Sequence, residues 1–259
     1  EIEQAVRQAL DRWRSQPLQS PTLDPGCVRF AGSHDPAVAL VAALAAEIMP
    51  GSTFQISFTG SLGGLIALAQ GQADLSGCHL WDAESDTYNL PFVRRLLPGM
   101  PIMLVTLAYR RIGLITPPGN PAKLVSLQDL TRAELRFVNR KPGSGTRVWL
   151  DAQLKQLDID PGKINGYTLE KATHSEVAQA VAEGTADVGL GIEASALAFG
   201  LDFSMLTTEA YDLVIPAERW QLPAIQALVN WLQSPQARTA ITRLGGYDTA
   251  ATGQITRLN

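Results

Sequence analysis

The sequence is poor in the features that most often announce a chemistry. Only two cysteines occur in 259 residues, Cys27 and Cys78, too few and too far apart for a metal knuckle. Cys78 lies in an apolar stretch, where a buried thiol is the ordinary outcome, and the pair leaves a disulfide open. No run approaches the roughly 18 apolar residues that a membrane helix needs. No signal peptide opens the chain, which begins at Glu1 without an initiator methionine, in the manner of a fragment or a processed chain. A basic excess is missing too: the net charge is -4, which speaks against a nucleic-acid-binding face on this piece. Arg94 with Arg95 and Arg110 with Arg111 are two isolated pairs, read as solvated or ion-paired side chains. DNA would then be reached only through a separate domain, and no membrane contact is expected.

Catalytic signatures are equally sparse. Ser33, His34 and Asp35 are consecutive, and neighbouring side chains cannot arrange themselves as nucleophile, base and orienter. No Gly-x-Ser-x-Gly elbow occurs in a strand-turn-helix setting. The loop Gly143–Arg147 lacks the lysine and spacing of a nucleotide-binding P-loop, and Gly60–Gly64 makes no dinucleotide fingerprint. Paired carboxylates for acid-base work are not evident. The reading is therefore of a protein that is not an enzyme, with no catalytic residue and no cofactor to name. The three histidines, His34, His79 and His174, each fall near a strand end or helix start. Their separation gives no metal-ligand spacing, so no metal site is expected, while His79 and His174 are placed along a cleft.

What is present is an ordinary globular composition, 46% hydrophobic and 18% charged, with 16 prolines and 22 glycines scattered along the chain. Residues 1–14 place Ile2, Val6, Ala9, Leu10 and Trp13 at helical spacing, an amphipathic helix that could pair with a copy of itself to make a homodimer. A breaker-rich linker follows, so residues 1–20 read as an appendage to a preceding domain. From Cys27 onward, short aliphatic runs alternate with helical stretches of ten to fifteen residues, the pattern of strand-helix-strand units around a mostly parallel sheet. Strands are expected near CVRFAG, TFQISF, ADLSGC, IMLVTLAY, GLITPP, LRFVN, ADVGLG, FSML and YDLVIP.

An internal recurrence sharpens this picture. Residues 59–77 and 173–191 each run from Thr-x-Ser through an amphipathic helix to Gly-x-Ala-Asp and an aliphatic strand. Gly71 and Gly184 suit the left-handed position just past a helix end. This reads as two lobes of similar construction. The first occupies residues 21–108 and the second 109–210, with 211–259 returning to the first and Leu222, Ile225, Leu228, Val229 and Leu232 forming a helix face. Such a crossing creates a hinge and a cleft.

Three strand-to-helix junctions could carry the chemistry. In the first, a strand ends at Gly32 and Pro36 occupies the first helical turn; the awkward Asp35 would turn away to cap its own helix. In the second, Ser61 is placed as N-cap before Leu62, and in the third Ser144 caps the helix containing Leu150, Leu154 and Leu157. Thr173 with Glu176 makes a capping box, so Thr173 is read as structural. Each junction offers hydroxyls and first-turn amides at the positive end of a helix, which favours an anion.

The strings GSHDP, GSLGGL, NLPFVRRLLPG, FVNRKPGSGTR, INGY and ADVGLGI resemble the molybdate-binding, periplasmic-binding-protein-like domain found fused to helix-turn-helix regulators or molybdopterin-biosynthesis proteins. The similarity runs from about Gly32 to Pro216. It implies an α/β, two-lobed type II periplasmic-binding-protein-like fold, with mixed, mostly parallel sheets flanked by helices, hinge strands between the lobes and a ligand in the cleft. GSGTR is similar to the DSGTH-like ligand loop of tungstate-binding relatives, with Arg147 where they carry histidine. The binding residues it implies are Ser33, Thr59, Ser61, Ser144, Gly145, Thr146 and Arg147, holding a small oxyanion such as molybdate or tungstate. Removal of Arg147 would then cost about 1.5–3 kcal/mol of affinity, the scale of a charge-assisted hydrogen bond. The resemblance implies a cytoplasmic sensor domain of a transcriptional regulator or of a protein related to the molybdenum cofactor. The alternative is a periplasmic solute-binding receptor of an ABC transporter.

Overall fold

The computed structural model describes residues 26–258. The amphipathic helix expected over residues 2–14, and the self-pairing expected of it, lie outside that span. Strands β1 (Cys27–Gly32), β2 (Thr53–Phe58) and β3 (Leu75–Cys78) are parallel, with β1 in the middle. Helices α1 (Pro36–Ala43), α2 (Ala45–Ile48) and α3 (Gly60–Ala69) connect them. After β3 come the two-residue strands β4 (Trp81–Asp82) and β5 (Thr87–Tyr88), paired with each other, and α4 (Leu90–Leu96).

Two 15-residue strands, β6 (Ile102–Thr116) and β10 (Asp202–Pro216), are antiparallel partners along their whole length. Between them in sequence lie β7 (Phe137–Arg140), α5 (Gly145–Gln156), β8 (Glu170–Lys171), α6 (His174–Ala182), β9 (Val188–Ile192) and α7 (Glu193–Ala198). Helices α8 (Pro223–Leu232) and α9 (Pro235–Thr242) follow β10, and the short strands β11 (Tyr247–Asp248) and β12 (Ile255–Leu258) add to β6. The order across the main sheet is β2-β1-β3-β10-β6-β9-β7-β8. Parallel strands at each end flank the antiparallel β10–β6 pair, so β6 and β10 are the segments shared by both lobes.

Each long strand was expected as two shorter ones, because Arg110-Arg111 interrupts the apolar pattern of β6 and Thr207-Thr208-Glu209 that of β10. The interruptions are register partners: Glu209 faces Arg110 and Thr208 faces Arg111. Charges that read as a break in either strand alone complement each other once paired, and β10 absorbs the mismatch in register shifts at Met205/Thr207 and Tyr211/Asp212. The face expected of the C-terminal helix is the buried one: Ile225, Leu228, Val229 and Leu232 join the cluster that holds Val28, Phe30, Val38 and Leu213. The C-terminal helix thus packs with β1 and α1, in a cluster that also takes in Phe137, Leu150 and Val188. A separate cluster surrounds Val138, Val177, Val181 and Leu201.

The internal recurrence is built into the structure at the level of side chains. Arg29 offers its backbone N–H and Nε to Asp74 Oδ2 at 2.8 and 3.0 Å, while Asp74 N–H returns to the Arg29 carbonyl at 2.8 Å. In the second lobe Arg136 makes the same contacts to Asp187 Oδ2 at 2.8 and 3.0 Å, and Asp187 N–H returns to Arg136 at 2.8 Å. Gly71 and Gly184 precede the two clamps with φ of 66° and 69°, a left-handed conformation that glycine adopts without steric cost. Superposing one clamp on the other aligns Arg29-Phe30-Ala31-Gly32-Ser33 with Arg136-Phe137-Val138-Asn139-Arg140. Ser33 and Arg140 therefore occupy the same step of the two lobes, at the C-terminal ends of their strands.

Candidate functional site

At the crossing of β1, β3, β6 and β10, a chain of polar side chains lies out of solvent. Arg110, 1% exposed, donates from Nε to Glu209 Oε1 at 2.5 Å and pairs with Asp35 through its other arm. Asp35 caps α1 by accepting the Ala37 N–H at 2.7 Å, and it accepts the Tyr247 hydroxyl at 3.0 Å. The second oxygen of Glu209 lies 3.0 Å from His79 Nδ1, and His79 Nε2 lies 2.7 Å from Ser33 Oγ. The His79 backbone N–H reaches Ser61 Oγ at 3.3 Å. Across the cleft, Gly145 rests on the same imidazole: a Cβ there would come within 2.5 Å of His79 Nδ1. His79 thus touches the first lobe, a long strand and the start of α5 in the second lobe.

Electrostatics fix the proton positions in this chain. Burial raises the Glu209 carboxyl, but Arg110 and His79 outweigh it and hold Glu209 below its ordinary range, hence ionised. An ionised carboxylate only accepts, so the His79 proton sits on Nδ1. Burial holds the imidazole neutral, and its free Nε2 accepts from the Ser33 hydroxyl. Hydroxyl, imidazole and carboxylate have the spacing of a nucleophile-base-orienter relay, which sequence proximity could not reveal because the three residues are far apart in the chain.

Beside this satisfied chain stands a group of buried atoms with no partner. Arg140, 2% exposed, bonds through NH2 to the Ala172 carbonyl at 2.9 Å, while its Nε and NH1 have none. Both ring nitrogens of fully buried His174 are unpartnered, as are Thr146 Oγ1 and His34 Nδ1. Burial, then the positive charge of Arg110, pushes Arg140 down to about 10. His174 is pushed far below its ordinary value by burial and then by Arg140, Arg110, His79 and His34. Arg140, His174, His34, His79 and Arg110 therefore share one electrostatic neighbourhood. Each buried unsatisfied donor costs on the order of 1–3 kcal/mol, more when charged.

A model of the PBP superfamily domain matches residues 42–233 of the chain. The chain belongs to the PBP superfamily. The uncharacterized protein YvgK of Bacillus subtilis is 38% identical over 198 residues, covering 76% of this chain and 64% of that protein. This PBP-superfamily chain thus spans less than two thirds of that relative. Among solved structures, it is similar to a phosphate ABC transporter substrate-binding protein with bound phosphate from Clostridium perfringens, with TM-score 0.63, 16% identity and coverage of 85% and 98% of the two chains. A tungstate ABC transporter protein of Geobacter sulfurreducens gives TM-score 0.60 at 15% identity, covering 84% and 98%. The sulfate-binding protein SubI of Mycobacterium tuberculosis gives 0.59 at 20%, covering 85% and 86%. At these identities the likeness is one of fold, the two-lobed α/β architecture with a mixed sheet.

The PBP fold gathers some of the residues singled out from sequence and leaves others apart. Ser33, Ser61, Gly145, His79 and His174 belong to the neighbourhood just described, and Thr146, next to Gly145, is buried with its hydroxyl unpartnered. Thr59 is exposed and is itself the N-cap of α3, without a side-chain bond. The expected cap, Ser61, is instead the second residue of the helix, which starts at Gly60. Ser144 is the cap expected of it, but its hydroxyl is engaged locally, donating to the Lys141 carbonyl at 2.9 Å and accepting the Arg147 N–H at 3.3 Å. Arg147 differs most from the expectation. Its guanidinium bonds Asp151 at 2.8 Å, Glu170 at 3.1 Å and the Arg140 carbonyl at 3.2 Å, and it lies over the Tyr167 ring at 4.2 Å. Those contacts use it to brace the end of β7, and the guanidinium left free is that of Arg140. Thr173 caps α6, accepting the Glu176 N–H at 3.1 Å, while the Glu176 carboxylate returns to Ala172 N–H. Cys27 and Cys78 are free thiols. Among the described residues, no three His, Cys, Asp or Glu side chains are grouped as for a metal, and no helix is long and apolar enough to cross a membrane.

Close approach of Gly145 to His79 gives this PBP domain a simple test of lobe closure. Gly145→Ala, at a helix position of ordinary φ, is expected to weaken ligand binding about tenfold or more by forcing the lobes apart. The melting temperature should fall as well, because an added Cβ meets the His79 ring and carbonyl at 2.5 Å. Titration and thermal melts of the variant check this, and unchanged affinity would count against a closed His79–Gly145 contact in the bound state.

Proposed function

We propose that this PBP domain captures a small tetrahedral oxyanion and serves as a solute-binding receptor of the ABC-transporter kind. The observation that carries the reading is Arg140: a buried guanidinium with two unpartnered donor nitrogens, whose charge acts on His174, a buried imidazole equally unpartnered. Neutral hydroxyls and imidazoles with one forked cation suit an oxyanion such as molybdate, tungstate, sulfate or phosphate. Ser61 and the first-turn amide at Gly145 would complete the donor set from the facing lobe and helix. The sharing of β6 and β10 by both lobes supports closure around the ligand by a hinge. Receptors for phosphate, tungstate and sulfate among the fold neighbours agree with this role.

Titration of the protein, first stripped of bound anions, with phosphate, sulfate, molybdate and tungstate tests the reading. Saturable heat with at least one is expected, and silence toward all four would refute oxyanion capture while leaving the fold untouched. A second reading, a sensor domain of a larger regulatory protein, is favoured by similarity to a histidine kinase sensor domain, with TM-score 0.53 and 13% identity. A leader or anchor before Glu1 in the full gene product supports the receptor, and a DNA-binding, kinase or biosynthetic segment supports the sensor. The Ser33–His79–Glu209 geometry also admits hydrolysis, and stoichiometric labelling of Ser33 by a fluorophosphonate would reassign the site to it.

A further inference from the structure

The charge inventory around His174 leads one step further, on the footing of the oxyanion reading above. His174 opens α6 and is fully buried, with neither ring nitrogen hydrogen-bonded. It is faced by Arg140 at the end of β7, Arg110 of β6, His79 after β3 and His34 after β1. Gly191 of β9 packs on the ring, an added Cβ falling 3.4 Å from Nδ1. On its own helix the nearest acid is Glu176, whose carboxylate is occupied by the Ala172 N–H at 2.9 Å. Beyond Arg110 lie Asp35 and Glu209, both committed to that guanidinium.

Two features of this arrangement bear on what a ligand must bring. A neutral imidazole has one N–H and one lone pair, so oxyanion oxygens, which only accept, cannot satisfy both nitrogens. The imidazolium, with two N–H donors, can be satisfied on both sides. With neutral imidazoles, moreover, the guanidiniums of Arg110 and Arg140 stand against the carboxylates of Asp35 and Glu209, with that of Glu176 alongside, so the empty neighbourhood carries no net positive charge to set against a dianion buried in it. We infer that a tetrahedral dianion enters this site together with one proton, which His174 takes up to become the second cationic donor beside Arg140.

The physical basis is linkage: a charged ligand that stabilises the imidazolium raises the His174 pKa on binding, so complex formation consumes a proton. In the empty protein His174 is held neutral by burial and by the surrounding cations. Affinity for a dianion should consequently rise by about tenfold per pH unit of acidification, between the depressed value of the empty site and the raised value of the filled one. An oxyanion that carries its own proton, such as monohydrogen phosphate, could supply part of that requirement itself and would show a shallower slope.

The test is calorimetric titration with sulfate, and with molybdate in parallel, near neutral pH in two buffers of different ionisation enthalpy. Uptake of about one proton per anion is expected, together with a shift of the His174 ring-nitrogen resonances to the imidazolium range on saturation of the unsubstituted protein. His174→Gln, which keeps a donor and an acceptor but cannot be protonated, should still bind, more weakly, with little proton uptake and a flat pH profile. Anion binding without buffer-dependent heat, or a His174→Gln variant with unchanged uptake, would overturn the inference and leave oxyanion capture standing. Absence of binding by every oxyanion would instead refute the functional reading on which it rests.

Discussion

Arg140→Met should melt at a higher temperature than the natural protein when both are free of ligand, and should bind oxyanions at least about a hundredfold more weakly. The two effects have one cause. Arg140 is a buried cation whose Nε and NH1 have no partner and whose single hydrogen bond is to the Ala172 carbonyl. Its depressed pKa, about 10, shows that burial and Arg110 together disfavour the charge. A desolvated ion costs several kcal/mol unless a counter-charge offsets it, and replacement by an apolar side chain of similar length is commonly neutral or stabilising by about 1–4 kcal/mol. For a domain of this size each kcal/mol corresponds to roughly 2–4 °C in melting temperature. A ligand that neutralises Arg140 loses a desolvated charge-assisted contact in the variant, a loss of about 2–5 kcal/mol.

Arg147 supplies the contrast, because its guanidinium already has Asp151, Glu170, the Arg140 carbonyl and the Tyr167 face. Arg147→Ala should lower stability by about 1–2 kcal/mol and alter affinity only a few-fold, through the loosened end of β7. Thermal melts and titrations of both variants in anion-free buffer decide the matter. An Arg140→Met protein that is destabilised yet binds normally, or loss of binding confined to Arg147→Ala, would return the anchoring role to the loop.

The contrast between these arginines shows where sequence reading succeeds and where it stops. Helix starts were legible because caps are local: Asp35 before Pro36, Ser144 and Thr173 announce themselves within a few residues and cap as expected. Parallel strands β1 and β2 were legible because each is a bounded aliphatic run. Arg140 and Glu209 were missed because each is a charge at the edge of an apolar pattern, and a charge at the edge of one strand looks like solvent or a turn. What makes them central is pairing across large separations, Glu209 to Arg110 over 99 residues and Ser33 to His79 over 46. One signal was available. The repeat of Arg-Phe in the two strands, VRFAGS against LRFVNR, sets Arg140 at the step of Ser33 by symmetry of the two lobes. Chemistry at one strand end could have been sought at the other.

Asp35→Ala is expected to be the most damaging single substitution in the molecule, lowering stability by about 3–5 kcal/mol, since it breaks a buried ion pair from one side. The carboxylate holds one arm of Arg110, accepts the Tyr247 hydroxyl and caps α1 through the Ala37 N–H, so three donors lose their acceptor inside the core. Against a typical total of about 5–15 kcal/mol, that loss would leave a sizeable fraction unfolded. Asp35→Asn retains the cap acceptor and should recover only part of the deficit, because Arg110 still lacks a counter-charge. Adding Arg110→Met to Asp35→Ala should recover part of it as well, since the stranded cation is removed, making the double variant less destabilised than the sum of the singles. Urea unfolding of the four proteins measures the coupling, and strict additivity would mean that the buried pair does not act as a unit. Acid should probe the same network from the other side. Glu209, His34, His79 and His174 all have folded-state pKa values below their unfolded ones. The stability they confer is thus present above the unfolded values and is lost as pH falls, first below about 6.5 for the histidines and again below about 4.3 for Glu209. On the inference drawn for His174, a bound dianion should reverse that residue's share of the first step by favouring its imidazolium, so at mildly acid pH the filled protein should outlast the empty one by a margin wider than at neutrality.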